Sequence, residues 1–282
     1  MTAPIHPNPL SRNADLVVAG IYRREVEASL ERVWENVHDW EHLPWLHREA
    51  FTSIDRLAAG DWGWRAQVGL AGGATARIEL VTDPEASCYV ARTLDGAGTP
   101  SEIWTRLDPV AAHRTAIEVE FCVAPLPEAT LRRLGEGYVQ LYTRLWDQDE
   151  GMMQGRESAL EARRNPRPVA PEIPPLDLGR LEEIRARLPL VFEFAGVRYR
   201  IVAIGDELVA HATECPHLLG PLDRCELAGD EIVCPWHGYR YDVRTGRSRD
   251  GHSLRLRVAP RLEVDSATGH LIALARPPER SA

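Results

Sequence analysis

The amino-acid sequence predicts an α+β domain followed by a second, mostly-β domain. The chain has 282 residues, and one globular domain commonly takes about 150. The segment 165–176 contains five prolines in twelve residues, which excludes a helix or a central strand there. We therefore predict domains over 1–164 and 177–282, joined by a proline-rich linker at 165–176.

The first domain reads as a series of strands that ends in one long helix. A strand is predicted at Leu16–Val26, a helix at Leu30–His38 and a long amphipathic helix at Glu128–Arg164. Between them, runs of apolar and β-branched residues alternate with glycine- and proline-containing turns, as in antiparallel strands. These further strands are predicted at Phe51–Leu57, Asp61–Gly69, Thr75–Thr82, Cys88–Leu94, Glu102–Asp108 and Ala116–Val123.

The second domain reads as short strands and turns. The strands are predicted at Leu190–Ala195, Val197–Ile204, Leu208–Ala212, Glu231–Cys234, Tyr239–Asp242 and Leu254–Val258. Glycine-containing turns separate several of them, and no long amphipathic helix follows the linker. We therefore predict a mostly-β domain here.

Composition and charge exclude several classes of protein. The net charge is −9, whereas nucleic-acid-binding proteins usually carry a basic surplus. No apolar run reaches the length of a transmembrane helix, and the first residues lack the pattern of a signal peptide. Five cysteines are too few for a disulfide framework. We therefore expect a cytoplasmic protein whose cysteines are reduced or metal-bound, with no nucleic-acid or membrane partner.

Cysteine and histidine form a spaced ligand pattern in the second domain. Cys215-Pro-His217 is followed after sixteen residues by Cys234-Pro-Trp-His237. Two thiolates and two imidazoles could hold one zinc ion, although the order of the ligands differs from that of a zinc finger. A zinc-binding interaction module is thus one alternative.

The flanking residues favour a different metal centre. "CPHLLGPL" and "CPWHGYRYDVRTG" resemble the two loops of Rieske [2Fe–2S] domains in bacterial oxygenases and their ferredoxins, over about 188–275. The resemblance implies that one iron takes Cys215 and Cys234 and that the other takes His217 and His237.

The resemblance also implies a subtype of cluster. Rieske proteins of cytochrome complexes carry an extra cysteine in each loop, where this chain has Gly220 and Trp236. Those proteins place a hydroxyl donor to sulfur where this chain has Tyr239. Because fewer hydrogen bonds to a cluster lower its potential, we expect the low-potential type found in oxygenases and ferredoxins.

A second ligand pattern lies early in the first domain. Asn36, Asp39, His42 and His47 form N-x₂-D-x₂-H-x₄-H within "ENVHDWEHLPWLH". A non-haem Fe(II) oxygenase needs two histidines and one carboxylate on one face, with the other face open. We expect Pro44 to end the helix at about Leu43, so that both imidazoles can converge.

The third ligand is predicted on the long helix. Asp149 lies four residues after Leu145 on the apolar stripe, whereas Asp147 and Glu150 point elsewhere. A lone carboxylate on a buried face is costly unless it is paired or bound to a metal. Asp149 is therefore the candidate, and Asp39 could hydrogen-bond a ligand histidine.

These patterns resemble the α subunit of Rieske non-haem iron oxygenases, in particular the vanillate-demethylase and pheophorbide-oxygenase branch. "ASLERVWENVHDWEHLPWLH" also resembles the first strand-to-helix passage of the START/Bet v 1-like helix-grip superfamily, and "WDQDEGMMQ" the family's third-ligand segment. The resemblance implies a sheet wrapped around a long helix, with mononuclear Fe(II) on His42, His47 and Asp149. It further implies that Asp39 links a cluster histidine to an iron histidine.

The predicted function is therefore hydroxylation or demethylation of a small aromatic or apolar substrate with O₂. A separate NAD(P)H-dependent reductase, with or without a ferredoxin, would supply electrons. The family forms trimers, but its usual order of domains is reversed in this chain, which puts the family's electron route between subunits in doubt. The alternative is a ligand-binding or cyclase-like helix-grip domain fused to a Rieske ferredoxin, without oxygenation.

Overall fold

A computed structural model of the chain describes residues 10–164 and 173–276. The chain forms two compact units, Met1–Gln154 and Gly155–Ala282. The predicted linker at 165–176 lies mostly outside the described residues, and its last residue, Leu176, begins a strand. The domain limits at 164 and 177 thus stay predictions. None of the described helices has the length and apolar character needed to cross a membrane.

One antiparallel sheet of seven strands and three helices dominate the first part of the chain. The sheet has the strand order β1-β7-β6-β5-β4-β3-β2, and the last helix continues past Gln154. The elements are β1 (Val17–Val26), α1 (Leu30–His38), α2 (Leu43–Leu46), β2 (Phe51–Gly60), β3 (Gly63–Leu70), β4 (Thr75–Asp83), β5 (Cys88–Gly96), β6 (Ser101–Ala111), β7 (Arg114–Val123) and α3 (Glu128–Arg164). The predicted α+β arrangement is confirmed.

The core of the first unit lies between the inner face of the sheet and α3. Side chains alternate across β7, so that Val119 and Phe121 point inward and are fully buried. The Phe121 ring stacks on Tyr138 of α3 with ring centroids 4.8 Å apart. Trp146, two turns further along α3, is also buried in this core. This packing fixes which face of α3 points toward the sheet.

Two glycines allow α3 to cross β1 at very short range. A Cβ atom on Gly135 would lie 2.0 Å from the carbonyl oxygen of Ala19. A Cβ atom on Gly20 would lie 3.1 Å from the Gly135 Cα. The register of β1 with β7 shifts between Val18 and Gly20. The bulge and the missing side chains together let the two backbones touch.

The outer face of the sheet is covered by the first described residues. Buried Arg92 donates from Nε to Glu102 Oε1 at 3.1 Å and from Nη2 to the carbonyl of Ser11 at 3.0 Å. Glu102 also accepts hydrogen bonds from Trp104 Nε1 and from the backbone N–H of Asn13. These hydrogen bonds attach the first described residues to the part of the outer face around Arg92 and Glu102 and give both buried charges partners.

The second unit is built of three small sheets, which confirms the mostly-β prediction. The sheets have the orders β11-β10-β9, β12-β13-β14 and β15-β16-β8. The elements are β8 (Leu176–Arg180), α4 (Leu181–Ala186), β9 (Leu190–Phe194), β10 (Val197–Ile204), β11 (Glu207–Ala212), β12 (Leu227–Ala228), β13 (Glu231–Val233), β14 (Arg240–Asp242), β15 (Arg261–Val264) and β16 (His270–Leu274). Within this unit, β8, α4, β12, β15 and β16 were not predicted from the sequence.

The predicted strand at Leu254–Val258 is wrong. Only an isolated bridge between Arg247 and Arg255 forms there. The backbone N–H of Leu256 donates to the carbonyl of Gly246 at 2.7 Å, and Leu254 accepts from Ser248. The segment's hydrogen bonds therefore go to an adjacent turn instead of a strand ladder. The alternation of leucine and arginine has period two, but the neighbouring backbone decides the structure.

Candidate metal centres

The two histidines of the first pattern lie at the two ends of a very short helix. His42 caps the N-terminus of α2 and His47 caps its C-terminus. Their rings are 5.1 Å apart, measured between centroids, at an angle of 80°. Both side chains are almost fully buried. One helical turn with a histidine at each end thus brings two imidazoles together.

The predicted helix Leu30–His38 is confirmed as α1. The expectation that Pro44 ends a helix at about Leu43 is wrong, although the histidines do converge. α1 ends at His38, and Asp39 leaves the helical region with φ −84° and ψ 88°. Pro44 stands in the first turn of α2, where a missing N–H costs nothing. The proline therefore begins a second helix instead of ending the first.

Asp149 of α3 completes a group of three buried ligands. Its Oδ1 lies 3.0 Å from His47 Nε2 and 3.5 Å from His42 Nε2. One ligand atom from each of the three residues falls within 4.8 Å of the others. Two imidazoles and one carboxylate match the donor set that holds non-haem Fe(II). The residues therefore fit a mononuclear iron.

The carboxylates beside Asp149 have other partners. Arg24 of β1 forms ion pairs with both Asp147 and Glu150. Glu150 also accepts a hydrogen bond from the backbone N–H of Glu27 at 2.7 Å. Buried Asp149 instead shares the inward face of α3 with Trp146 and Met153. The apolar stripe was predicted to include Leu145, but Trp146 is the residue that is buried on this face.

Two polar groups orient the candidate iron ligands from outside. Asp39 Oδ2 lies 3.5 Å from His42 Nδ1, a contact that forms across the turn between α1 and α2. Gln148 Oε1 lies 2.7 Å from His47 Nδ1. Burial disfavours a charge on His47, but Asp149 and Gln148 outweigh it, and the pKa of His47 is raised. Gln148 was missed in the sequence, although it directly precedes Asp149.

The charge of Asp149 affects the pKa of two nearby tyrosines, Tyr89 and Tyr142. Burial, and to a smaller degree the Asp149 carboxylate, raise the pKa of Tyr89 and of Tyr142 far above the usual value of 10. Both phenols therefore stay protonated at neutral pH and can serve as hydrogen-bond donors. Neither tyrosine was predicted as a site residue. Tyr89 lies in β5 and Tyr142 in α3, and only the fold brings them near Asp149.

The second ligand pattern lies on two turns of the second unit. In the first, the N–H of Cys215 donates to the carbonyl of Gly220 at 2.8 Å. In the second, the N–H of Cys234 donates to the carbonyl of Tyr239 at 2.9 Å. The imidazoles of His217 and His237 lie 4.6 Å apart between ring centroids and are nearly perpendicular. Each turn thus contributes one thiol and one imidazole.

The surroundings favour the thiolate form of Cys215 but not of Cys234, because the hydrogen bond to Cys215 and burial raise the pKa of the Cys234 thiol. The pKa of Cys215 is lowered to about 7, chiefly because the Cys234 thiol donates a hydrogen bond to it. Tyr241 adds a smaller contribution, since its hydroxyl lies 3.3 Å from Cys215 Sγ. Burial and the Cys215 thiolate raise the pKa of Tyr241, so its hydroxyl keeps its proton. Cys215 thus fits a ligand that binds metal as a thiolate, and Cys234 would release its proton when it binds the metal.

Gly220 keeps space open beside a cluster ligand. A Cβ atom there would lie 2.8 Å from Cys234 Sγ and 3.1 Å from the Trp236 ring. Gly220 and Trp236 stand where cytochrome-complex Rieske proteins have their extra cysteines, so no disulfide can form between the two turns. All five cysteines of the chain are free. The space beside Gly220 and the four donors Cys215, His217, Cys234 and His237 fit a [2Fe–2S] cluster.

The hydroxyl that reaches the cluster ligands is not at the position considered in the sequence. Tyr239 places its ring 4.4 Å from that of His217, and His252 stacks on its other side at 4.2 Å. Tyr241, two residues later, makes the contact with Cys215 Sγ. The potential of the cluster therefore depends on the Tyr241 hydroxyl, which the prediction from Tyr239 did not include. The sequence offered Tyr241 as a second tyrosine, two residues after Tyr239 in "HGYRYD".

Comparison with known proteins identifies the second unit. Residues 175–259 match the family model of the Rieske [2Fe–2S] domain, and this range includes Cys215, His217, Cys234 and His237. The chain therefore contains a Rieske domain, which implies a [2Fe–2S] cluster. No curated protein matches the chain.

Several solved structures are similar to parts of the chain. A START superfamily protein from Mycobacterium smegmatis is 18% identical, with a TM-score of 0.40, over 48% of this chain and 95% of that one. The Zhui aromatase/cyclase from Streptomyces sp. R1128 is 16% identical, with a TM-score of 0.43, over 50% and 95%. The ferredoxin of carbazole 1,9a-dioxygenase from Nocardioides aromaticivorans IC177 is 28% identical, with a TM-score of 0.32, over 36% and 98%.

Proposed function

We propose that this chain is the oxygenase component of a Rieske non-haem iron system. The observation that carries the proposal is the buried group of His42, His47 and Asp149 in a chain that also has a Rieske domain. Among the described residues, this group has no third imidazole and no thiol. Two histidines and one carboxylate are the ligand set of non-haem Fe(II) oxygenases. The proposed reaction is hydroxylation or demethylation of a small aromatic or apolar molecule.

In this proposal, His42, His47 and Asp149 would hold Fe(II). When bound there, Fe(II) supplies the site at which O₂ is activated. Gln148 and Asp39 hold the outer nitrogens of the two imidazoles, so that the Nε2 atoms face the Asp149 carboxylate. The burial of all three ligands excludes bulk water, and Tyr89 and Tyr142 offer protonated phenols nearby.

Electrons must then come from another protein. Cys215, His217, Cys234 and His237 would hold the cluster, which supplies one-electron transfer. The sequence contains no dinucleotide-binding fingerprint. We therefore propose a separate NAD(P)H-dependent reductase, directly or through a ferredoxin, as the electron donor. A homotrimer and a cytoplasmic location belong to the same proposal.

Isotope labelling tests the proposed reaction. The full chain with its metals is reduced and mixed with ¹⁸O₂ and a panel of methoxy- and N-methyl-substituted aromatic compounds. We expect the wild type either to hydroxylate one compound, which then carries a single ¹⁸O atom, or to demethylate one, which releases formaldehyde and leaves the phenol or amine unlabelled. The Asp149→Ala variant should give neither product. Asp147→Ala is the control, because Asp147 is exposed and pairs with Arg24. Reoxidation of the cluster that is unaffected by Asp149→Ala, with neither a labelled product nor formaldehyde from any compound, would contradict the proposal.

A further inference from the structure

A cleft lined by arginines lies in the second unit. Its volume is about 310 Å³. Strand β11, the turn at 243–247 and the segment 255–259 form its walls, and none of the four candidate cluster ligands lines it. No aspartate or glutamate is among its lining residues. Its five arginines are Arg244, Arg247, Arg255, Arg257 and Arg276.

The positive charge of this cleft is only partly neutralised. Arg244 forms an ion pair with Glu207, and Arg255 donates from Nε to the carbonyl of Thr245 at 3.2 Å. Within residues 10–164 and 173–276, no carboxylate forms an ion pair with Arg247, Arg257 or Arg276. The chain as a whole has a net charge of −9. A concentration of arginine in such an acidic protein favours an anionic ligand.

The inner wall of the cleft contains a buried imidazole. His211 is 1% exposed, and Val243 and Leu256 beside it on the wall are also buried. Nδ1 of His211 lies 2.9 Å from the carbonyl oxygen of Ala212, which requires the proton on Nδ1. Nε2 is then an acceptor, and it has no hydrogen-bond partner in the described part of the chain. Nε2 is closed to solvent, so a ligand O–H group would satisfy it once the imidazole turns toward the cleft.

We propose that this cleft binds a small phosphate-bearing molecule, of the phosphate monoester or diphosphate class. Arginine forks match phosphate oxygens in paired hydrogen bonds. A phosphate oxygen that carries a proton, or a hydroxyl beside it, supplies the hydrogen that His211 Nε2 lacks. The volume is at the lower end of the range for small-molecule pockets, about 300–1,000 Å³. A compact anion fits a concave site of this size better than the broad surface of an acidic protein would. The site is separate from the proposed oxygenase reaction.

Calorimetry with the full, metal-loaded chain tests this assignment. Inorganic pyrophosphate is the first probe, titrated at constant ionic strength set with potassium chloride. We expect one binding site per chain, and a loss of affinity of about ten- to hundredfold in Arg257→Gln and in Arg276→Gln. The control is Arg261→Gln, because Arg261 is exposed in the same unit and pairs with Glu263. This variant should bind as the wild type does.

A second comparison tests the role of the imidazole. At neutral pH inorganic phosphate carries an O–H group and sulfate does not, so phosphate should bind more tightly than sulfate. Equal binding of the two anions would overturn the role assigned to His211. The proposal fails if pyrophosphate releases no heat, or if the control variant loses as much affinity as the cleft variants. Binding of a poly-glutamate peptide without binding of pyrophosphate would instead identify a docking surface for an acidic protein and overturn the small-molecule assignment.

Discussion

Asp149 shows how the burial of one residue can define a site. Its carboxylate has little exposure on a helix face that otherwise contributes Trp146 and Met153 to the core. An unpaired buried carboxylate would cost several kcal/mol, so a neighbouring cation or donor is required. His42 and His47 lie at that position. The sequence could predict this residue because the face of a helix can be read from its period.

Removal of the Gln148 amide should weaken metal binding without removing a ligand. Gln148→Leu frees His47 Nδ1 from its 2.7 Å contact, so the imidazole loses its fixed orientation. We expect the affinity of the first unit for Co²⁺ to fall by about ten- to hundredfold. Optical titration of the chain measures this affinity. Gln140→Leu, at an exposed position of the same helix, should leave it unchanged, and equal losses in both variants would contradict the prediction.

Loss of the Tyr241 hydroxyl should lower the potential of the cluster. In Tyr241→Phe the contact of 3.3 Å with Cys215 Sγ disappears, and the reduced cluster loses a stabilising donor. One hydrogen bond contributes about 1 kcal/mol, so the midpoint potential should fall on the order of 40 mV for one electron. Protein-film voltammetry measures the shift. Tyr239→Phe keeps its ring beside His217 and should change the potential much less.

Helix α2 shows what sequence patterns can and cannot predict for an element. A break in the helix was predicted near Pro44, and the chain does break between α1 and α2, before the two histidines that flank α2. Its position was wrong, because Asp39 ends α1 and Pro44 occupies the first turn of α2. Proline is tolerated in a first turn and forbidden in a helix interior. Local sequence alone does not distinguish the two cases, so the geometry of the ligands could not be derived.

The crossing of β1 and α3 depends on one glycine. Gly135→Ala would place a Cβ atom 2.0 Å from the carbonyl oxygen of Ala19, so the helix must move away from the sheet. We expect the free energy of unfolding to fall by about 1–3 kcal/mol. Gly137→Ala is the matched control, because nothing lies within 4 Å of a Cβ atom there. It should stabilise the protein by up to about 1 kcal/mol. Denaturant unfolding measures both, and a stabilised Gly135→Ala would contradict the account.

For the whole molecule, the sequence predicted the two fold classes but not all of the elements. Long apolar alternation identified every strand of the first sheet, since each has one face in a single core. In the second unit the strands have two to eight residues, and several lie far apart in the chain. β8, for example, pairs with β16 across about ninety residues of sequence. Such pairings and such short strands leave little local pattern, so α4 and four strands (β8, β12, β15 and β16) were missed.

The two ligand sets are independent in this chain. His42, His47 and Asp149 belong to the first unit, and the Rieske ligands belong to the second. A variant at one set should therefore leave the other set able to bind its metal. This independence allows the irons to be counted separately.

Iron content is the most direct test of the central claim that the first unit holds a mononuclear iron. We expect about three irons per chain in the anaerobically reconstituted wild type, two of them in the Rieske cluster. His42→Ala should contain about two, with the Rieske absorption and EPR spectrum unchanged. His38→Ala is the control, because His38 ends α1 and is not one of the three ligands. A content of two irons in both the wild type and His42→Ala would contradict the account.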